Sequence, residues 1–224
     1  MMPRPLHLGI LKWSLLWSIC KTDPHEESLF LSQLLLESCL GSKLVLSLDT
    51  SLHLIAKITR RVWTDGLMDT VLSLKGRLLS QEHYYPISLS AEGTVKVPTA
   101  SRARDLGTGE TDLGFVLIAT RSWSQTSIDL NVGYTLSRVF RGQREGDQMF
   151  YGGAIRHPIG ERWQLFTEVF AESDTNDFSD TVLMGRAGFQ TQIASRLLYS
   201  AAAGTGLRRG SPDFTATTGF TFLF

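Results

Sequence analysis

The sequence predicts an all-β protein, a transmembrane antiparallel up-and-down β-barrel of about ten strands behind an atypical N-terminal segment. Three features carry that expectation. Apolar and polar residues alternate with period two over long stretches. Those stretches are close to the roughly 9 to 11 residues with which a tilted strand crosses hydrocarbon. The gaps between them alternate between long and short. Composition alone does not decide the class. The 224 residues carry 22 Lys+Arg against 22 Asp+Glu, so no bulk attraction to nucleic acid is expected. No apolar run reaches the roughly 18 residues of a spanning helix. A hydrophobic fraction of 42% suits a soluble domain or a barrel whose two faces average out.

Two parts differ in pattern, 1–42 and 43–224. The first is rich in Leu, Ser and Trp without strict alternation. Arg4 followed by Leu6 to Cys20 has the basic start and apolar stretch of an export signal, but Lys12 interrupts it and no Ala-x-Ala site follows. Residues 26–40 have a partly helical spacing in Leu29, Leu36 and Leu40. A degenerate signal, a short helix and a misassigned start all remain open readings. Cys20 and Cys39 are the only cysteines, so the barrel part has no disulfide or thiolate site.

From Lys43 onward ten strands follow, at 44–58, 69–79, 84–97, 111–123, 126–136, 149–157, 162–171, 181–192, 196–207 and 214–224. The first sets Leu44, Leu46, Leu48, Leu52 and Leu54 against Ser47, Asp49, Ser51 and His53. In the fifth, Ile128, Leu130, Val132, Tyr134 and Leu136 oppose Ser127, Asp129, Asn131 and Thr135. The gaps 80–83, 124–125, 158–161 and 193–195 are short and fit periplasmic turns, while 59–68, 98–110, 137–148 and 172–180 fit extracellular loops.

Alternation then fixes which residues face lipid. Outward aromatics fall at the strand ends: Tyr85, Trp123, Trp163, Tyr199 and Phe224 on the periplasmic side, Tyr134, Tyr151 and Phe214 near the outer rim. Such rings settle at membrane interfaces because the ring is apolar while its polar atom can stay hydrated. The other face carries Lys75, Arg77, Glu92, Lys96, Asp112, Asp129, Asn131, Arg156, Arg162, Glu168 and Arg186. Basic groups in lipid at mid-depth cost roughly 2 to 4 kcal/mol each, so these residues are expected to line the lumen. Two readings of them stay open, a salt-bridged filling and a solute path. Arg121 is the outward exception, placed near a strand end where its head group can reach the interface.

The stretches Lys96-Val97-Pro98-Thr99, Leu106-Gly107-Thr108-Gly109, Asp112-Leu113-Gly114 and Asn131-Val132-Gly133-Tyr134 come in order. With Phe150-Tyr151-Gly152 and the ending from Ser211 to Phe224, they resemble the bacterial outer-membrane family of transporters of the meta pathway of phenol degradation. The similarity covers about residues 63–224. It implies a bacterial outer-membrane location, transport of hydrophobic or aromatic compounds, and twelve strands in a complete member. The last strand also resembles the outer-membrane assembly signal in Thr217, Gly219, Phe222 and Phe224, which implies insertion by the barrel assembly machinery.

Catalysis is not expected. His7, His25, His53, His83 and His157 show no metal-ligand spacing. Gly107-Thr108-Gly109 lacks the strand, helix and Lys of a phosphate loop. Ser137, Asp147 and His157 supply triad residue types, but the strand order puts His157 at the opposite rim. The expected function is a transporter or narrow channel for small, hydrophobic or aromatic, compounds, without cofactor or metal. The alternative is a filled structural or adhesive barrel acting through its outer loops. Expected partners are outer-membrane lipid, the assembly machinery and the solute, with no nucleic acid.

Overall fold

A computed structural model describes residues 11–23, 26–39, 44–56, 63–83, 85–104, 106–137, 146–175, 178 and 181–223, with side chains from residue 66 onward except at 83 and 104. Thirteen strands appear among these residues: β1 (Leu11–Asp23), β2 (Glu26–Cys39), β3 (Leu44–Ala56), β4 (Trp63–Leu67), β5 (Thr70–Leu79), β6 (Ser88–Val97), β7 (Asp112–Trp123), β8 (Thr126–Ser137), β9 (Gln148–Ile159), β10 (Trp163–Asp174), β11 (Val182–Ala194), β12 (Leu197–Gly206) and β13 (Phe214–Leu223). All belong to one sheet.

The sheet closes on itself. Neighbours in sequence pair antiparallel, and β1 pairs with β13 from Lys12↔Leu223 to Lys21↔Phe214. Strands β4 and β5 share one place in the ring. The far half of β3 pairs with β4, Leu52 opposite Leu67, and its near half with β5, Asp49 opposite Val71. From Leu67 to Val71 the chain takes one more step than β3 takes from Leu52 to Asp49. Met68-Asp69 is therefore a bulge in one interrupted strand, and the ring has twelve members.

The ten strands expected from the alternation correspond to β3 and β5 to β13, with ends shifted by a few residues. The partly helical stretch 26–40 instead lies in strand β2, and much of the signal-like stretch in β1. Consecutive leucines such as Leu34-Leu35-Leu36 erase the period of two. Backbone pairing on both sides supplies the order instead, since β2 runs against β1 and β3 along nearly its whole length. Strand β4 falls inside the expected loop 59–68. The expected strand 84–97 starts only at Ser88, because Pro86 has no N–H to give a ladder, and a short 3-10 turn at Gln81–His83 precedes it.

One rim has tight turns at 124–125, 160–162 and 195–196; at the opposite rim β6, β8, β10 and β12 end and β7, β9, β11 and β13 begin. Ser124 and Gly160 take positive φ of 53° and 63°, as narrow hairpin turns require.

Register carries each face consistently around the ring. Leu72, Leu74, Val95, Leu113, Phe115, Leu117, Leu130, Val132, Ile155, Leu165 and Val169 are all exposed, Leu130 at 60%. Buried apolar residues among the described ones are only Leu106, Ala171 and Met184. A water-soluble protein would forfeit about 25 cal/mol per Å² on each of those exposed side chains. With the apolar face outward, the closed ring is a transmembrane barrel.

Candidate functional site: the lumen and its two walls

The inward positions form two unlike walls. On β5 to β7 they carry Lys75, Arg77, Ser90, Glu92, Thr94, Lys96, Asp112 and Thr120. Lys75 lies directly opposite Glu92 in register, and Lys96 opposite Asp112. Lys96 Nζ pairs with Asp112, donates to Thr108 Oγ1 at 3.0 Å and stands 3.9 Å from Asp69 Oδ2. Asp69 Oδ1 accepts the Ala100 N–H at 3.0 Å. The bulge puts Asp69 there.

The β6–β7 connection folds back onto this cluster. Thr99 Oγ1 accepts the Thr70 N–H at 2.9 Å and donates to the Met68 carbonyl at 3.3 Å. Leu106, 3% exposed, covers Gly66, where an added Cβ would collide with its side chain. Gly107 runs so close to Asp69 that a Cβ would lie 2.6 Å from both carboxylate oxygens. A cavity of about 270 Å³ remains between Met68, Asp69, Val71, Lys96, Leu106, Gly107 and Thr108. At the tight-turn end of the same wall, Arg77, Glu82, Ser88, Ser90 and Thr120 line a second, polar cavity of about 490 Å³. Gln81 fixes the 3-10 turn there: its Oε1 accepts the Ser122 N–H at 2.8 Å and its N–H donates to Ser88 Oγ at 3.0 Å.

On β8 to β11 the inward side carries rings and glycines. The Phe150 ring lies over Gly133 and Phe166 over Gly188, where a Cβ would meet Phe166 Cζ at 2.7 Å. Gly152 faces the Phe170 Cβ and Asn131 Oδ1 in the same way. Two ion pairs lie on this wall, Arg156 with Asp129 at 2.5 Å and Arg186 with Glu168. Asp129 also accepts from Thr120 Oγ1 at 2.6 Å, and the Arg186 guanidinium sits 5.7 Å from the Phe170 ring centre.

Lys75, Arg77, Glu92, Lys96, Asp112, Asp129, Asn131, Arg156, Glu168 and Arg186 stand at inward register positions. Arg162 lies just before the paired ladder, an exposed residue of the turn preceding β10, its carbonyl accepting the Gln192 N–H. The sequence reading missed Asp69, because a bulge leaves no trace in alternation. It also missed Phe150, Phe166 and Phe170, apolar rings that stand on the inward phase of β9 and β10.

Outside, Trp163, Phe189, Tyr199 and Phe220 form a chain of rings around the tight-turn rim, with centroid spacings of 5.1, 6.0 and 5.2 Å. Trp123 on the same rim carries the Arg121 guanidinium 4.8 Å above its ring. Tyr134, Tyr151 and Phe214 are exposed near the other rim, and the Tyr134 hydroxyl donates to Asp147 at 2.7 Å. Tyr85 is exposed in the β5–β6 connection; Phe224 lies outside the described residues. In β13, Thr217 and Gly219 share the inward phase while Phe222 is exposed on the outside. Asp147 caps the Ser137 N–H at 3.1 Å, whereas His157 Nδ1 bonds Thr126 Oγ1 at 2.8 Å at the other rim. Among the described residues no three metal-ligating side chains gather.

The sequence matches the family described as "Putative MetA-pathway of phenol degradation" over residues 24–224. The chain belongs to this family. The family motifs around Lys96, Leu106 and Asp112, distant in sequence from Asp69, meet it in the cluster described above. Comparison with curated proteins gives no match. Among solved structures, an outer membrane channel from Pseudomonas putida F1 is similar with a TM-score of 0.76 at 13% identity, all of both chains being covered. The KdgM porin aligns at 0.68 and 8% identity over 95% of this chain and 99% of its own. The CymD monoaromatic hydrocarbon channel aligns at 0.57 and 9% identity over 98% and 89%. The fold of this family member is thus that of bacterial outer-membrane β-barrels.

Proposed function

We propose that this chain is an outer-membrane channel that passes small hydrophobic or aromatic compounds through a narrow lumen. One observation carries the reading: among the described residues the ion pairs run along the walls and not across them. Lys96 with Asp112, Arg186 with Glu168 and Arg156 with Asp129 each join adjacent strands. A filled barrel would use such pairs to tie opposite walls together. The glycine-backed rings Phe150, Phe166 and Phe170 supply an apolar track beside these charges, a surface that a small apolar molecule can follow without leaving polar groups unpaired. Family membership and the CymD neighbour point the same way.

In this reading Lys75, Arg77, Glu92, Lys96, Asp112, Asp129, Asn131, Arg156, Glu168 and Arg186 line the lumen, the aromatic rims hold the barrel in lipid, and β13 is the strand that the assembly machinery engages. Uptake of toluene and of a charged sugar acid into liposomes with the purified barrel tests it. Toluene entry above protein-free liposomes is expected. Equal rates with and without protein, for a barrel that shows heat-modifiable migration, would leave the filled structural barrel standing.

A further inference from the structure

We infer that the 270 Å³ cavity beside Asp69, Lys96 and Leu106 is a binding site for one small, neutral, ring-sized molecule bearing a hydroxyl group. The inference rests on the channel reading and adds to it a place and a chemistry. Met68, Val71 and Leu106 give the cavity apolar sides. Its size is ample for a single ring, since an apolar cavity of roughly 150 Å³ already holds benzene.

The polar side selects the substituent. Lys96 has three N–H donors. Asp112 and Thr108 take two of them, and the remaining neighbour, Asp69 Oδ2, is 3.9 Å away, too far for a hydrogen bond. Asp69 cannot simply swing closer, because Ala100 holds its other oxygen and Gly107 is packed against both. The gap therefore presents one donor and one acceptor on nearly immobile groups. A hydroxyl, which accepts and donates at once, can bridge it. A carboxylate cannot, since two aspartates around one lysine already leave the cluster net negative. A bare hydrocarbon fills the volume but leaves the gap unbridged.

The test uses the full chain folded in detergent, with benzyl alcohol, toluene and benzoate as probes, binding read by saturation-transfer NMR and titration calorimetry. Benzyl alcohol is expected to bind about tenfold tighter than toluene, the worth of a hydrogen bond to charged groups, with benzoate weaker still. Val71→Trp, which fills the cavity, is expected to abolish the benzyl alcohol signal, and Thr108→Val on the exposed loop to change the alcohol-to-toluene ratio. If Val71→Trp does not show heat-modifiable migration, Leu106→Trp gives the same reading. Equal affinity for alcohol and hydrocarbon, preference for benzoate, or binding unchanged in the filled variant would each overturn the site. Liposome uptake separates the two ideas. Toluene entry that persists while the filled variant still binds benzyl alcohol sinks the site alone; absence of any entry in the parent protein sinks the channel reading.

Discussion

The wall built by β5 to β7 and the wall built by β8 to β11 solve the same problem in opposite ways. Both must turn a polar face inward while the outer face stays greasy. The first wall does so with charges and hydroxyls, a bulge and a connection folded back over it, and it leaves Lys75 and Glu92 opposed in register without a close contact. The second ties Arg156 to Asp129 and Arg186 to Glu168 and fills other inward positions by laying rings over glycines. The difference teaches that rigidity here comes from space-filling on one side and from electrostatics on the other, so equivalent substitutions should not cost the same on the two walls.

The largest effect is expected from Gly188→Val. A Cβ there would press on Ala202 and the Phe166 ring, and on the backbone carbonyl of Ala201. Overpacking of this kind costs about 3 kcal/mol, visible as a lowered urea midpoint for refolded barrel in lipid vesicles. The same substitution at Gly93, on the outward side of β6 where nothing lies within 4 Å, is expected to change the midpoint little; equal losses at both positions would show that overpacking against the Phe166 ring is not the cause.

Next comes the flux effect of the ring track. Phe166→Ala with Phe170→Ala is expected to slow toluene uptake several-fold while leaving ionic conductance of planar bilayers within about twofold. A matching drop in conductance would mean that the rings shape the pore and do not form an apolar path.

Smaller again is Glu168→Gln. It leaves Arg186 without its carboxylate, but the guanidinium side chain is 37% exposed, so the loss is screened to about 1 kcal/mol. The lumen gains positive charge, and the reversal potential in a salt gradient should move toward anion selectivity. The smallest effect belongs to Lys75→Gln on the charged wall. With no partner in close contact among the described residues, it should stay within about 0.5 kcal/mol of the parent protein. A loss as large as that of Glu168→Gln would show that the two walls hold their charges alike.

Much of this contrast is legible in the sequence, and its limits have physical causes. Alternation gives β3 and β5 to β13 because each has one face in a greasy medium and one that is not. It also puts Lys96 and Asp112 on one face, while the register that sets them opposite each other comes from the structure. It cannot give β1 and β2, where leucines at consecutive positions satisfy either phase and only backbone pairing decides. It cannot give Asp69, because an extra residue at Met68-Asp69 resets the count. Phe150, Phe166 and Phe170 read as faults in the pattern until the glycines opposite them are known from the register.

The seam between β1 and β13 bears on the order of assembly. Lys12 meets Leu223 across it, so that contact joins parts of the chain made at very different times. Closing a loop of that span costs only roughly 5 kcal/mol in chain entropy, but it cannot begin until β13 has been synthesised. Without that pairing the sheet has two open edges, each able to pair with another copy. That one line of hydrogen bonds removes both open edges at once.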